Sequence, residues 1–88
     1  MADGTFPVMR HRDRVNAYDY QIWQTEDGTY HELGINLGEQ AFRYFTGPAL
    51  DVSDGAMLVD PVESEGSLAD VPGWLRRAAR AWLMEMAL

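Results

Sequence analysis

Histidines and carboxylates are the side chains of this 88-residue chain with the most chemical reach, two of the former and fourteen of the latter. His11-Arg12-Asp13 spells the tripeptide of a protein-kinase catalytic loop. No glycine-rich loop, strand lysine or downstream Asn accompanies it, and the chain is several-fold too short. The two imidazoles, His11 and His31, have no spacing that proposes a metal site. A calcium loop of the EF-hand kind needs an oxygen ligand five residues before its invariant glycine. Counting back from Gly28, Gly55 and Gly66 puts Trp23, Leu50 and Pro61 there, and all three fail. There is no Gly-x-Ser-x-Gly elbow, and Gly34-x-x-x-Gly38 is neither a P-loop nor a dinucleotide fingerprint. Cysteine is absent, which removes disulfides and thiol chemistry. Every base is Arg, which removes a lysine nucleophile. These residues point to a protein that is not an enzyme and that holds no cofactor or metal.

What remains is charge. From Asp19 to Asp70 the chain carries eleven carboxylates (Asp19, Glu26, Asp27, Glu32, Glu39, Asp51, Asp54, Asp60, Glu63, Glu65, Asp70) against Arg43 alone, a net of −10. Residues 1–18 sum to +1 and residues 71–88 to +2, which recovers the formal −7. Such a field repels nucleic acid and anionic membranes and attracts basic protein surfaces.

The elements that must position these groups read as follows. Residues 18–37 are predicted to form a hairpin, with Asp27-Gly28 as a two-residue turn between runs rich in Tyr, Ile and Trp. Centring the turn there places Ile22 opposite Leu33, Tyr20 opposite Ile35 and Tyr18 opposite Leu37 on one face. Trp23/Glu32 and Thr25/Tyr30 then fall on the other, outward face. In residues 40–46 the aromatics and Thr46 favour a strand, while Asn36-x-x-Glu39 with Gly47-Pro48 behind it also suits a short helix. Asp54-Gly55 marks a short hairpin or loop over 49–59, and 60–67 is a polar linker. A helix over 70–88 begins at a cap from Ser67 or Asp70. It turns Trp74, Leu75, Ala78, Ala79, Trp82 and Met86 into an apolar arc of roughly 200°, broader than one core-facing stripe needs. Residues 1–14 read as a flexible basic arm without a leader segment, and 15–88 as one domain. The expected fold is α+β, a small antiparallel sheet with one C-terminal helix packed on its apolar face.

In size and charge over the whole chain, a cysteine-free acidic domain with a hairpin-based sheet and one helix resembles phage-encoded inhibitors, anti-CRISPR proteins above all. That group shares no common motif, so no site residue carries over. The resemblance implies a cytoplasmic protein, in a bacterial host, whose carboxylates occupy a basic nucleic-acid-binding site of a target and which binds no nucleic acid itself. The expected partner-binding residues are Glu26, Asp27 and Glu32 on the first hairpin and Asp51, Asp54, Asp60, Glu63 and Glu65 beyond it, with Trp23 and Tyr30 as aromatic anchors. The alternative is a small structural or assembly subunit, phage or bacterial, that forms a homodimer or docks through its C-terminal helix.

Overall fold

The first hairpin turns on a three-residue loop, and that detail sets the register of everything else. In the computed structural model, which describes residues 7–53, 57–65 and 71–87, Gly28 N donates to Thr25 O (2.9 Å) and Thr25 N donates to Thr29 O (3.0 Å). Gly28 has φ 90° and Asp27 stays at negative φ. This is a type I turn followed by a left-handed glycine bulge, rather than the two-residue turn, which needs positive φ at both central positions. Strands β2 (Tyr18–Gln24) and β3 (Tyr30–Asn36) therefore pair with Tyr20 opposite Gly34, Ile22 opposite Glu32 and Trp23 opposite His31. The expected register is off by one residue, so Leu33 and Ile35 share a face with Trp23 instead of with Tyr20 and Ile22, and Glu32 joins Tyr20 and Ile22.

The sheet is five-stranded and antiparallel, in the order β1–β2–β3–β4–β7, with β1 Met9–Asp13, β4 Ala41–Gly47 and β7 Val62–Glu65. A second, two-stranded sheet pairs β5 (Ala49–Asp51) with β6 (Met57–Val59), and α1 spans Gly73–Ala87. The architecture is α+β as expected, and residues 41–47 are strand. Two expectations change. The stretch read as a flexible arm enters the sheet from Met9 as an edge strand, and the polar linker contains the opposite edge, β7. Both edge strands are short and carry charged residues, Arg10 and Arg12 on one and Glu63 on the other. Such edges lack an apolar period and resist pairing with other chains. The capping signals Ser67 and Asp70 lie outside the described residues.

Two loops are near copies of each other. Asp13 to Tyr18 and Asn36 to Ala41 each span four intervening residues, the last left-handed (Ala17 φ 62°, Gln40 φ 54°). In each the leading Asx oxygen accepts backbone N–H groups. Asp13 Oδ1 takes Val15 and Asn16 (3.0 and 3.2 Å), and Asn36 Oδ1 takes Glu39 (3.1 Å). The Asn36–Glu39 contact that suggested a helix cap closes a hairpin loop instead. Asn36 Nδ2 donates to Asn16 O and ties the two loops together at one end of the sheet.

One face of the sheet is covered by α1. Trp23, Leu33 and Ile35 form the buried core with Val71, Leu75, Ala79 and Trp82. Phe42, Tyr44, Trp74, Ala78, Leu83 and Met86 are packed around them. The broad arc of the helix is thus mostly spent inward, leaving Met84 (71% exposed) as its large apolar residue in solvent. The other face is mixed, with Tyr18, Tyr20 and Ile22 buried beside Glu32 and Asn36.

Candidate functional site

That mixed face holds a cleft of about 370 Å³, floored by His11, Asp13, Tyr20, Glu32 and Phe45 and roofed by Met57, Leu58 and Pro61. Its construction is local. β1 lays His11 directly opposite Tyr20, so the two rings stack at 4.7 Å and 8°. Tyr20 in turn lies over Gly34, where a Cβ would collide with the ring. The glycine is required by this close approach rather than by its own φ. From β4, Arg43 sits over the Tyr18 ring at 4.4 Å, and its Nη1 donates to the Tyr20 hydroxyl at 3.5 Å. The roof is held down at Gly47, where a Cβ would stand 3.1 Å from Val59 O and 3.3 Å from Leu58 Cβ. Asp60 then bends the chain into β7 with φ 50°, a conformation Asp tolerates better than most residues.

The cleft joins apolar walls to buried charge. His11 Nε2 reaches across β2 to Glu32 Oε2 at 2.5 Å, and Glu32 is only 7% exposed. Burial pushes the Glu32 carboxyl above its ordinary range, and the His11 contact pulls it back. Asp13 is held below the usual carboxylate range by hydrogen bonds from the Asn16 side chain and backbone and from Val15 N, so it stays ionised. Burial raises the Tyr20 hydroxyl. Among the described residues the lining contains no Ser, Thr or Cys nucleophile. Among the described residues no group of three or more His, Asp or Glu is arranged to hold a metal ion. What the arrangement can do is receive a cation or hydrogen-bond donor carried on an apolar stem.

The expected anchors fare differently. Trp23 is 1% exposed and meets Trp82 edge-on at 6.3 Å, so it belongs to the core under α1 and is not a surface anchor. Glu32 is the buried partner of His11 rather than an outward carboxylate. Both corrections follow from the one-residue register change. Tyr30 is half-buried opposite Gly47 at the end of the ladder. Glu26 and Asp27 are exposed at the turn, where Asp27 Oδ1 accepts from Thr25 Oγ1 (2.6 Å) and Thr29 N (3.0 Å) and is held low in pKa by them. Asp51 closes the end of β5 on Ser53. Asp60 and Glu63 are exposed and form no ion pair among the described residues. Glu63 pairs with Phe45, a cleft residue, and Glu65 is in register with Arg43. Asp54 lies outside the described residues. Asp51, Asp60 and Glu63 each neighbour a lining residue in the ladder or the chain (Asp51 opposite Met57, Asp60 beside Pro61, Glu63 opposite Phe45) without lining the cleft themselves, while Glu26 and Asp27 stand apart at the hairpin tip. Of the residues that build the site, His11 and Asp13 stood out in the sequence only as a kinase-like tripeptide without its partners, and Tyr20 and Phe45 not as site residues at all. The one available hint was Gly34 set between aromatic strands.

Comparison with known proteins adds no relative: no family model matches the chain, and neither a curated protein nor a solved structure is significantly similar to it. Among the described residues no helix is long and apolar enough to cross a membrane.

Proposed function

We propose that this chain is a non-enzymatic binding protein that engages a basic, nucleic-acid-binding site of a target protein, as an inhibitor of the anti-CRISPR type would. The observation that carries this reading is the cleft itself: two carboxylates, Asp13 and Glu32, set among Phe45, Met57, Leu58 and Pro61, with Asp51, Asp60 and Glu63 next to lining residues in the ladder or the chain. An Arg or Lys side chain from the partner fits this chemistry. Its methylenes lie on the apolar walls while its cationic head reaches the carboxylates. Exposed Met57 and Val59 supply apolar contact beside the acids, the composition of an interface centre with a charged rim. Glu26 and Asp27 are a second, separate acidic contact at the hairpin tip.

The test is capture by the tagged full chain from bacterial lysate, washed at low and high salt, alongside the double variant Asp60→Lys/Glu63→Lys. The expected result is a nucleic-acid-binding protein retained at low salt, released at high salt, and reduced at least about tenfold by the variant at unchanged melting temperature. Retention unaffected by charge reversal overturns the reading. Recovery of the chain's own copies alone, resistant to salt, favours instead the assembly subunit that self-associates through α1.

A further inference from the structure

The floor of the cleft holds a charge pair that any cationic guest must share. His11 Nε2 lies 2.5 Å from Glu32 Oε2, and among the described residues no other side chain hydrogen-bonds that carboxylate. Both groups line the cleft and neither is sealed from it. The His11 side chain keeps 35% of its surface exposed and that of Glu32 keeps 10%. Phe45, directly opposite Glu32 on β4, lines the same space. A flat cation can therefore lie on the Phe45 ring while its N–H groups reach the carboxylate. The chain builds such an arrangement for itself nearby, where Arg43 lies over the Tyr18 ring at 4.4 Å and donates to the Tyr20 hydroxyl.

The other ionisable groups on this face set the balance of charge. β1 adds Asp13, held ionised by its loop, and β2 adds Tyr18 and Tyr20, the latter raised by burial. β4 adds Arg43, and β7 places Glu63 and Glu65 in register with Phe45 and Arg43. Asp51 and Asp60 stand beside the roof residues Met57 and Pro61. An imidazole is the side chain whose charge changes between mildly acid and mildly basic solution, and here it is the group in contact with Glu32. With a proton on His11, the carboxylate already has its cation, and a guest meets a positive neighbour. With His11 neutral, the ring N–H still donates, but the negative charge is left for the guest.

We propose that the cleft is a guanidinium receptor in which the guest and the His11 proton compete for Glu32, so that acid releases the guest. This rests on the reading above that a partner's cation enters the cleft, and it narrows that cation to arginine. A planar guanidinium stacks on an aromatic face and donates in parallel to a carboxylate, which a lysine ammonium does not do. The coupling is reciprocal: if the proton weakens the guest about tenfold, the guest lowers the proton affinity of His11 about tenfold, or about one pH unit.

The experiment is an NMR titration of the full chain with benzylguanidinium, with benzylammonium and with the neutral isostere benzylurea. The signals followed are the Phe45 ring, the Met57 methyl and both histidine rings. The expected result is saturable movement of Phe45 and Met57 with benzylguanidinium, weaker with benzylammonium, and at least about tenfold weaker with benzylurea and in Glu32→Gln. Saturating benzylguanidinium should lower the pH midpoint of the His11 ring by about one unit and leave that of His31, on the opposite face, in place. The comparison of guests and the His11 midpoint need no variant. An unmoved His11 midpoint at saturation overturns the proposal. So does equal binding of benzylurea or benzylammonium, or no saturable movement at millimolar benzylguanidinium. In each of these cases the broader reading still stands if capture from lysate remains salt-sensitive and is weakened by Asp60→Lys/Glu63→Lys.

Discussion

The two faces of the central sheet are built from the same four strands, β1 to β4, and solve opposite problems. Under α1 the contacts are nearly all apolar: Leu33, Ile35 and Trp23 against Leu75, Ala79 and Trp82. Under the β5–β6 hairpin the contacts mix aromatic rings with a buried acid, a half-buried histidine and an arginine stacked on tyrosine. Apolar burial contributes about 25 cal/mol per Å² without demanding partners, whereas each buried charge must be matched by geometry. The helix side should therefore carry most of the stability. The hairpin side keeps polar groups in place and leaves a cleft between them.

The sharpest way to break this comparison is to cut into each face. Leu33→Ala removes a fully buried side chain from the helix-side core and should cost about 2–5 kcal/mol, read as a lowered denaturant midpoint. A loss below 1 kcal/mol would mean that α1 is not the stabilising layer. Gly34→Ala tests the other face. Its Cβ meets the Tyr20 ring, so Tyr20 must move off its stack with His11, at a cost of about 1–3 kcal/mol. The same substitution should change the His11 and Tyr20 ring signals in NMR spectra while leaving Trp82 undisturbed. Matching changes on both faces would show that they are not independent.

The smallest effect is also the most discriminating, because each face holds a group shifted by burial that changes stability with pH in the opposite direction. His31, beside Tyr44 Oη at 2.7 Å and edge-on to Trp74, has its pKa lowered from 6.5 by burial. The unfolded chain then binds the proton more readily. Stability is full above pH 6.5 and is lost as pH falls through the lowered folded value. Glu32, on the cleft side, has its pKa raised from 4.5 by burial. Its contribution is full below pH 4.5 and is lost as pH rises through the raised folded value. Unfolding followed against pH should show His31→Gln removing its part of the loss below pH 6.5 and Glu32→Gln removing its part of the loss above pH 4.5. Either substitution flattening both limbs would show that the two groups titrate as one system.

Much of the architecture was readable along the chain. Asp27-Gly28 between Tyr- and Ile-rich runs specifies a hairpin, and the Trp74–Met86 periodicity specifies a helix that covers it. The register was not readable, for a reason visible in the residues. Asp-Gly serves a two-residue turn and a type I turn with a glycine bulge equally well. The flanking strands are apolar on both sides, since Tyr18, Tyr20 and Ile22 alternate with Trp23, Leu33 and Ile35. Segregating apolar residues onto one face therefore could not choose between two registers one residue apart. With the wrong register, Trp23 and Glu32 looked like surface residues. The edge strands were hidden for a different reason, because Met-Arg-His-Arg-Asp and Val-Glu-Ser-Glu carry the charge that edges need.

Sequence alone determined the fold class, the hairpin, the helix and the sign of the field, because these depend on propensity, periodicity and composition, which are local. The tertiary structure decided which side chains meet. His11 reaches Glu32 across an intervening strand, and Tyr20 covers Gly34 from the strand beside it. Pro61 roofs a cleft whose floor is laid by residues up to fifty positions earlier in the chain. Contacts of that kind depend on one hydrogen-bonded loop, Thr25 to Thr29, whose geometry shifts two strands by a single residue and with them the face on which every side chain lies.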